Sequence, residues 1–250
     1  YYSNQEQQAI AKRKQAFIYV ISLMSVLGVA LGVAALVIVL GVYNGLTTDM
    51  REKILGANAH GMVLSTLPDG FALDPGVMDR VLATPGVTGA TPFIYSEVML
   101  SAGTGVKGLI LRGIDPVQAP KVLSMLQTIK RGSVEDLARA DTPPGIILGE
   151  ELTKRLGLAL GSRINLLSPS GQRSTSGFQP RIRPFVVVGI FKTGMYEYDS
   201  SLAFLSLDAS RDLLGMPKDY LSGIEITVAD LFKADEVTAA LNSTIGHRFY

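Results

Sequence analysis

Chemistry has few places to sit in this sequence. The two histidines, His60 and His247, are far apart, no cysteine is present, and no clustered carboxylates accompany them. A thiol mechanism is therefore excluded, and a Cys/His zinc site cannot be built. There is no G-x-S-x-G nucleophile elbow, and two histidines leave a Ser/His/Asp site little choice. No G-x-x-x-x-G-K-[ST] loop occurs, so ATP is not bound through a Walker motif and any ATP dependence has to come from a partner. Gly103, Gly105 and Gly108 do spell G-x-G-x-x-G. That fingerprint must pass into a helix whose N-terminus faces a phosphate, whereas here it passes into Leu109-Ile110-Leu111, which reads as a strand. Hairpin-turn glycines are the better reading. Glu197 and Asp199 could face one way on a strand, but paired carboxylates near a turn are usually just solvated. The expectation is a non-catalytic chain with no metal and no cofactor of its own.

Binding chemistry is better represented. Ser168 to Pro184, SPSGQRSTSGFQPRIRP, lies between two apolar runs that read as strands, and it is far longer than the two to five residues a hairpin turn needs. Such a segment should protrude. Pro169, Pro180 and Pro184 limit its freedom, and Gln172, Arg173, Arg181 and Arg183 with Phe178 offer polar, cationic and aromatic contacts to an acidic or apolar-rimmed partner. A floppy solvated loop is the alternative on pattern alone.

The element that must position this segment is a membrane anchor. Between Lys14 and Asp49 no charged residue occurs, and Ala16 to Tyr43 is apolar apart from Ser22 and Ser25. At about 1.5 Å per residue, roughly 20 residues cross a hydrocarbon core, so the run suffices with some to spare for tilt. Lys12, Arg13 and Lys14 precede it, while Asp49, Arg51, Glu52 and Lys53 after it cancel. The N-terminus is therefore expected on the cytoplasmic side and the remaining domain outside. A cleaved signal peptide competes, but its apolar core should be shorter and end in a small-x-small site, whereas this exit reads VYNGLTTDM. Gly28 and Gly32, with Ser25 and Ala35 close to the same stripe, form a small-xxx-small face that lets a partner helix approach. The plainer alternative is that Gly and Ala are common in membrane helices.

Composition bounds the outer domain. A net charge of +1 with mixed signs, and no basic block beyond Lys12 to Lys14 and the arginines near residue 181, argues against nucleic acid. Without cysteines the domain rests on a hydrophobic core, which its length allows. The pattern predicts a short helix over Met50 to Leu55 stopped by Gly56, continuing the membrane helix outward. A strand Gly61 to Ser65, a helix Pro75 to Ala83 and a strand Val87 to Ile94 follow, with breaks at Pro85-Gly86 and Thr91-Pro92. Glu97 to Leu100 and Val106 to Ile114 form a hairpin, Ala119 to Arg139 is helical or loose, and Ile146 to Leu148 is a strand. Glu150 to Leu156 is a helix closed by Gly157. Strands Arg163 to Leu167, Phe185 to Lys192, Leu202 to Leu205 and Gly223 to Val228 alternate with helices Asp208 to Leu214 and Lys233 to Thr244. The sum is an α+β exterior with a β-rich middle section inserted into an outer α/β layer.

Several blocks resemble one family. LGVALGVAALVIVLGVYNGL and REKILG within Phe17 to Gly56, LRGIDP (Leu111 to Pro116), GIILGEELTKRLGLALG (Gly145 to Gly161) and VVVGIFKTGMYEYDSSLAFL (Val186 to Leu205) are similar to the LolC/LolE lipoprotein-releasing permeases. The wider superfamily of the MacB exporter and the FtsX division protein shares the architecture but not these strings. The resemblance implies a fold: an α+β periplasmic domain, with a Porter-like subdomain at 44–95 and 221–250 and an inserted Sabre-like subdomain at 96–220. These stand on a transmembrane helix at 16–43 preceded by a cytoplasmic segment at 1–15, and a Hook-like hairpin occupies 168–184. Pro169, Pro180, Arg183 and Phe185 fall where the Hook's prolines, following arginine and next strand would be.

The same resemblance implies a function. The chain would be a bacterial inner-membrane subunit that moves acylated lipoproteins to the periplasmic carrier LolA, beside a second LolC/LolE-type permease. A LolD-like ATPase partner would bind the ATP and Mg. Carrier binding would fall to Pro169, Gln172, Arg173, Phe178, Pro180, Arg181, Arg183 and Pro184. From the resemblance and from depth, Val39, Val42, Tyr43 and Leu46 are where acyl chains could enter between helices from membrane lipid. Family members have four membrane helices, and this sequence stops at Tyr250, about where the linker to the second would begin, so a fragment is expected. The Hook tip STSGF has few large apolar residues, which fits a LolC-like or hybrid subunit better than a LolE-like one. A MacB/FtsX-type permease for export or hydrolase activation, and a single-pass scaffold that moves nothing, are the rival readings.

Overall fold

The computed structural model describes the backbone of residues 2–57, 59–64, 71–72, 75–103, 105–174, 177–230 and 233–245. It describes side chains over 12–49, 59–64, 71–72, 76–103, 105–169, 180–230 and 233–245. Two units separate, Tyr1–Ile54 and Leu55–Tyr250.

The first unit is made of helix α1, which runs Tyr2–Ala57 without interruption, its last residues belonging to the second unit. The short helix expected at Met50 to Leu55 is its last stretch, and Gly56 lies inside it rather than stopping it. Lys12–Asp49 is long and apolar enough to cross a membrane, and none of it is buried within the chain. Two of its polar side chains turn inward to the backbone: Ser25 Oγ donates to the Ile21 carbonyl at 3.0 Å and Thr47 Oγ1 to the Tyr43 carbonyl at 2.8 Å. Such bonds satisfy hydroxyls that lipid could not. Around Gly28 and Gly32 a side chain would meet only open space, and the same holds at Gly41 and Gly45, a second pair at the same spacing.

The second unit runs β1 (Gly61–Leu64), β2 (Phe71–Ala72), α2 (Pro75–Leu82), β3 (Val87–Ala102), β4 (Gly105–Ile114), α3 (Ala119–Val122), β5 (Ile129–Gly132) and β6 (Gly145–Gly149). It continues through α4 (Glu150–Leu156), β7 (Arg163–Ser174), β8 (Gly177–Phe191), α5 (Tyr196–Ser201), β9 (Leu202–Ser206), α6 (Leu207–Leu214), β10 (Tyr220–Leu221), β11 (Gly223–Val228) and α7 (Ala234–Ile245). One sheet follows the order β1-β11-β3-β4-β9-β6-β8-β5, and β7 pairs with both β3 and β8. That last strand closes a ring, β3-β4-β9-β6-β8-β7, of six strands.

Period-two alternation explains the ring. Val98 and Leu100, Leu109 and Leu111, Ala203 and Leu205, Ile146 and Leu148, Phe185 and Val187, and Ile164 and Leu166 are buried in one cluster. Each pair comes from a different strand, two residues apart, as a pleated wall facing one core requires. The opposite faces of β9, β6 and β8 contribute Phe204, Ile147 and Phe191 to a second cluster under the 119–137 segment. The rings of Phe191 and Phe204 meet edge to face at 5.4 Å. At the other end β1, β11 and the first half of β3 carry α2 and α7, which bury Val77, Val81, Val237 and Leu241.

Three more readings of the sequence need correction. Thr91-Pro92 does not break a strand, because β3 continues through Pro92, which pairs with Ile224 of β11. The β3–β4 ladder begins only at Phe93, so Pro92 is flanked on one edge and need not donate. The helical or loose stretch after Ala119 contains strand β5, held against β8 through Ile129↔Phe191. Ser168 to Pro184 is not a loop, since β7 and β8 extend through nearly all of it.

Candidate functional site

The residues singled out for chemistry have structural work. His60 Nδ1 accepts the Val228 N–H at 3.1 Å, while His247 lies outside the described residues. Among the described residues no group of three or more His, Asp or Glu side chains could hold a metal ion. Gly103 follows β3 and Gly105 opens β4, as hairpin glycines should, but Gly108 lies within β4 opposite Met99. Glu197 and Asp199 sit on α5 rather than on a strand, and Asp199 is buried rather than solvated. Its Oδ1 accepts from Thr193 N and Oγ1 at 2.8 and 2.9 Å, and its Oδ2 from Gly194 N at 3.1 Å. That carboxylate fixes the turn between β8 and α5.

The β7–β8 hairpin is the element that stands out. Its ladder runs from Arg163↔Val186 to Ser168↔Arg181, is irregular at Pro169, and resumes at Gln172↔Gln179, Arg173↔Phe178 and Ser174↔Gly177. Prolines cannot donate to a ladder, so Pro169 and Pro180, both exposed, account for the interruption. β7 pairs with β3 only over Asn165 to Leu167, and β8 meets β6 and β5 only from Val186 onward. Among the described residues, the two strands beyond Ser168 therefore pair only with each other. The backbones of Gln172, Arg173 and Phe178 lie in these strands, but their side chains fall outside the described residues.

At the hairpin base the outer face is apolar and open. Gly108, Met99, Leu167 and Ile182 form one row across β4, β3, β7 and β8. Met99 and Ile182 remain 50% and 52% exposed. A cavity of about 580 Å³ lies here, walled by Met99, Gly108, Ile110, Leu167, Pro169 and Pro180. Pro184 is exposed opposite Asn165. Arg181 is half-buried, and Arg183 is exposed but paired. Arg183 Nε donates to Asp212 Oδ2 at 2.9 Å, and the Arg181 guanidinium lies against Gly215, the residue that ends α6.

One further charged pair was not singled out in the sequence. Arg112 of β4 is bonded to Glu225 of β11 across β3, with the two side chains 10% and 4% exposed. Burial pulls the Arg112 guanidinium down to about 10, against the opposing pull of Tyr198 and Tyr95. Glu225 Oε2 and, from the facing residue of β3, Thr91 Oγ1 are buried without a protein partner. The signal was legible in principle, because LILRGI and GIEITV each hold one charge inside an apolar run.

Comparison with known proteins agrees with the geometry. The sequence model of the MacB-like periplasmic core domain matches residues 22–244. The lipoprotein-releasing system transmembrane protein LolC of Neisseria meningitidis serogroup B is 32% identical over 234 residues, covering 92% of this chain and 55% of that protein. LolE of Haemophilus influenzae is 26% identical over 230 residues, covering 89% and 53%, and LolC of the same organism is 24% identical. The chain thus spans about half the length of the curated relatives it matches. In fold it is similar to the extracellular domain of the noncanonic ABC-type transporter YknZ from Gram-positive bacteria, with a TM-score of 0.50 at 12% identity over 75% of this chain and 96% of that one. With the family match spanning residues 22–244, the chain belongs to the MacB-like periplasmic core domain family, as a member of its LolC/LolE type.

Proposed function

We propose that this chain is the N-terminal part of a membrane subunit in an ABC-type lipoprotein-releasing complex, which extracts acylated lipoproteins from the bacterial inner membrane and hands them to LolA. The observation that carries this reading is the β7–β8 hairpin: a proline-stiffened arm, paired only with itself beyond Ser168, with an open apolar row at its base. Such an arm loses little entropy on docking, and an apolar centre with a polar rim suits a protein partner. In this reading Pro169, Gln172, Arg173, Phe178, Pro180, Arg181, Arg183 and Pro184 meet the carrier. Helix α1 spans the membrane with the N-terminus cytoplasmic, packs on a partner helix through Ser25, Gly28, Gly32 and Ala35, and meets acyl chains at Val39, Val42, Tyr43 and Leu46.

The chain contributes no catalysis of its own. A LolD-like partner hydrolyses ATP with Mg, and a second LolC/LolE-type permease completes the membrane part. The elements at 44–95 and 221–250 form the membrane-proximal subdomain, and 96–220 the inserted one. Identities of 26% to LolE and 24% to LolC of one organism do not separate the two subunit types, so the LolC-like or hybrid assignment rests on the polar tip STSGF. The test is reconstitution of the intact complex in proteoliposomes carrying a labelled lipoprotein. ATP-dependent transfer to LolA supports the reading. Export of a soluble substrate, or no transfer at all, would favour a MacB/FtsX-type permease or a scaffold.

A further inference from the structure

The sheet narrows to a single strand between its two parts. Among the described residues, the layer formed by β1 and β11 pairs with the six-stranded ring only through β3, which gives its first half to β11 and its second to β4. On one edge the β11 ladder ends at Gly223↔Phe93, and on the other the β4 ladder begins at Phe93↔Ile114. The two ladders overlap at Phe93 alone. Ser222 adds a bond from its N–H to the Phe93 carbonyl at 3.0 Å and accepts the Tyr95 N–H on Oγ at 2.9 Å. A sheet joined so narrowly can bend about this point.

Arg112 and Glu225 stand on either side of it. Arg112 lies opposite Tyr95, two residues past Phe93, and Glu225 lies opposite Thr91, two residues before it. Thr91, Phe93 and Tyr95 share one face of β3, so the buried ion pair bridges Phe93 diagonally, from the ring to the layer. The 119–126 segment lies over the same face, with Arg112 Nη1 directed at Met125 Sδ at 3.9 Å. The apolar core also crosses the junction, since Val63, Ala90 and Ile224 of the layer share a cluster with Leu111, Leu148 and Phe185 of the ring. Apolar contact is non-directional and fixes no angle sharply. A buried ion pair does, because a swing that parts its two groups strands each charge in apolar surroundings. Glu225 Oε2 is buried without a protein partner, so this carboxylate depends on Arg112.

We propose that Arg112 and Glu225 form a brace: positioning residues that hold the ring, and the hairpin on it, at one angle to the β1-β11 layer. In chain order β1 follows α1 and α7 follows β11, so the layer is where movement of the membrane part enters the outer unit. The brace passes that movement on to the hairpin. This last step rests on the function proposed above, whereas the fixed angle does not.

The test separates angle from fold. The full-length protein in its purified complex carries spin labels at Val106, exposed near the start of β4, and at Ala239, exposed on α7. The parent should give one narrow distance. Arg112→Met with Glu225→Leu should melt close to the parent, yet its distance distribution should widen. Its hairpin is untouched, so LolA should bind with parental affinity, while ATP-dependent transfer of a labelled lipoprotein should fall about tenfold, within the range that coupling residues carry. A pair that served stability alone would not split binding from transfer. Parental width, or parental transfer despite the widening, overturns the proposal. Arg112→Leu with Glu225→Gln is a second neutral pair with the same expected outcome. If neither pair folds, the charges are a requirement of folding and the brace is overturned as well. A parent that transfers no lipoprotein, with the widening intact in the variants, removes the proposed function and leaves the brace standing.

Discussion

The inner and outer halves of β7 and β8 are the same two strands put to opposite uses. From Arg163 to Leu167 and from Phe185 to Phe191 they are barrel wall, with Ile164, Leu166, Phe185 and Val187 buried and neighbours on both edges. Past Ser168 the alternation of apolar and polar residues stops, prolines enter, and no third strand is paired. Burial enforces register in the first half, and nothing but the mutual ladder enforces it in the second. Sequence changes should therefore cost folding in the wall and binding in the arm.

The largest effect is expected in the wall. Phe185 is 1% exposed, and Phe185→Ala should cost about 3–5 kcal/mol, read as a fall in the denaturant midpoint at unchanged slope. A loss below about 1 kcal/mol would mean the ring of strands has no single packed core. Next comes the buried pair. Arg112→Met strands the Glu225 carboxylate and should also cost about 3–5 kcal/mol, whereas Arg112→Met with Glu225→Leu should recover most of it. Failure of the double variant to recover would show that the surroundings, Thr91 included, depend on the pair for more than its mutual charge.

Smaller still is the surface network on the barrel. Hydrogen bonds from Lys192 and then Lys154 hold the Glu150 carboxyl below its ordinary value, and Glu150 and Glu151 in turn raise Lys154. A depressed carboxylate contributes stability above its unfolded pKa and loses it as pH falls through the lower folded value. The raised lysine contributes below its unfolded pKa and loses that as pH rises through the higher folded one. Glu150→Gln should therefore flatten the acid side of the stability profile slightly. An unchanged acid limb would show the network to be solvent-screened throughout. In the anchor, Gly28→Ile with Gly32→Ile should leave the outer unit's melting unaltered and reduce complex assembly. Assembly at parental yield would exclude that face as the packing stripe.

Much of this layout was legible in the residues. Periodicity and punctuation place β4, β6, α4, β9, α6, β11 and α7 within a residue or two, and Gly157 does close α4 with φ +64°. What escaped depends on contacts that no local pattern shows. Pro92 reads as a break until β11 and the late start of β4 are known to flank it. Asp199 reads as solvated because its donors, Thr193 and Gly194, belong to a turn that only β8 and α5 define. That Asp212 and Gly215 lie against Arg183 and Arg181 is equally hidden, because nothing local shows it. The polar stretch after Ser168 lacks a hydrophobic face, so no period marks it as strand, and only the resemblance pointed to a hairpin.

The hairpin itself carries the account. Joining Ser168 to Arg181 by an Asn-Gly turn removes the free arm but keeps the wall, the ladder pair at its base and both arginines. The shortened full-length protein, in its purified complex, is titrated with LolA and melted beside the parent. The account predicts a midpoint within about 0.5 kcal/mol of the parent, as for a surface change, with carrier binding lost. A shortened protein that binds LolA as tightly as the parent would contradict it.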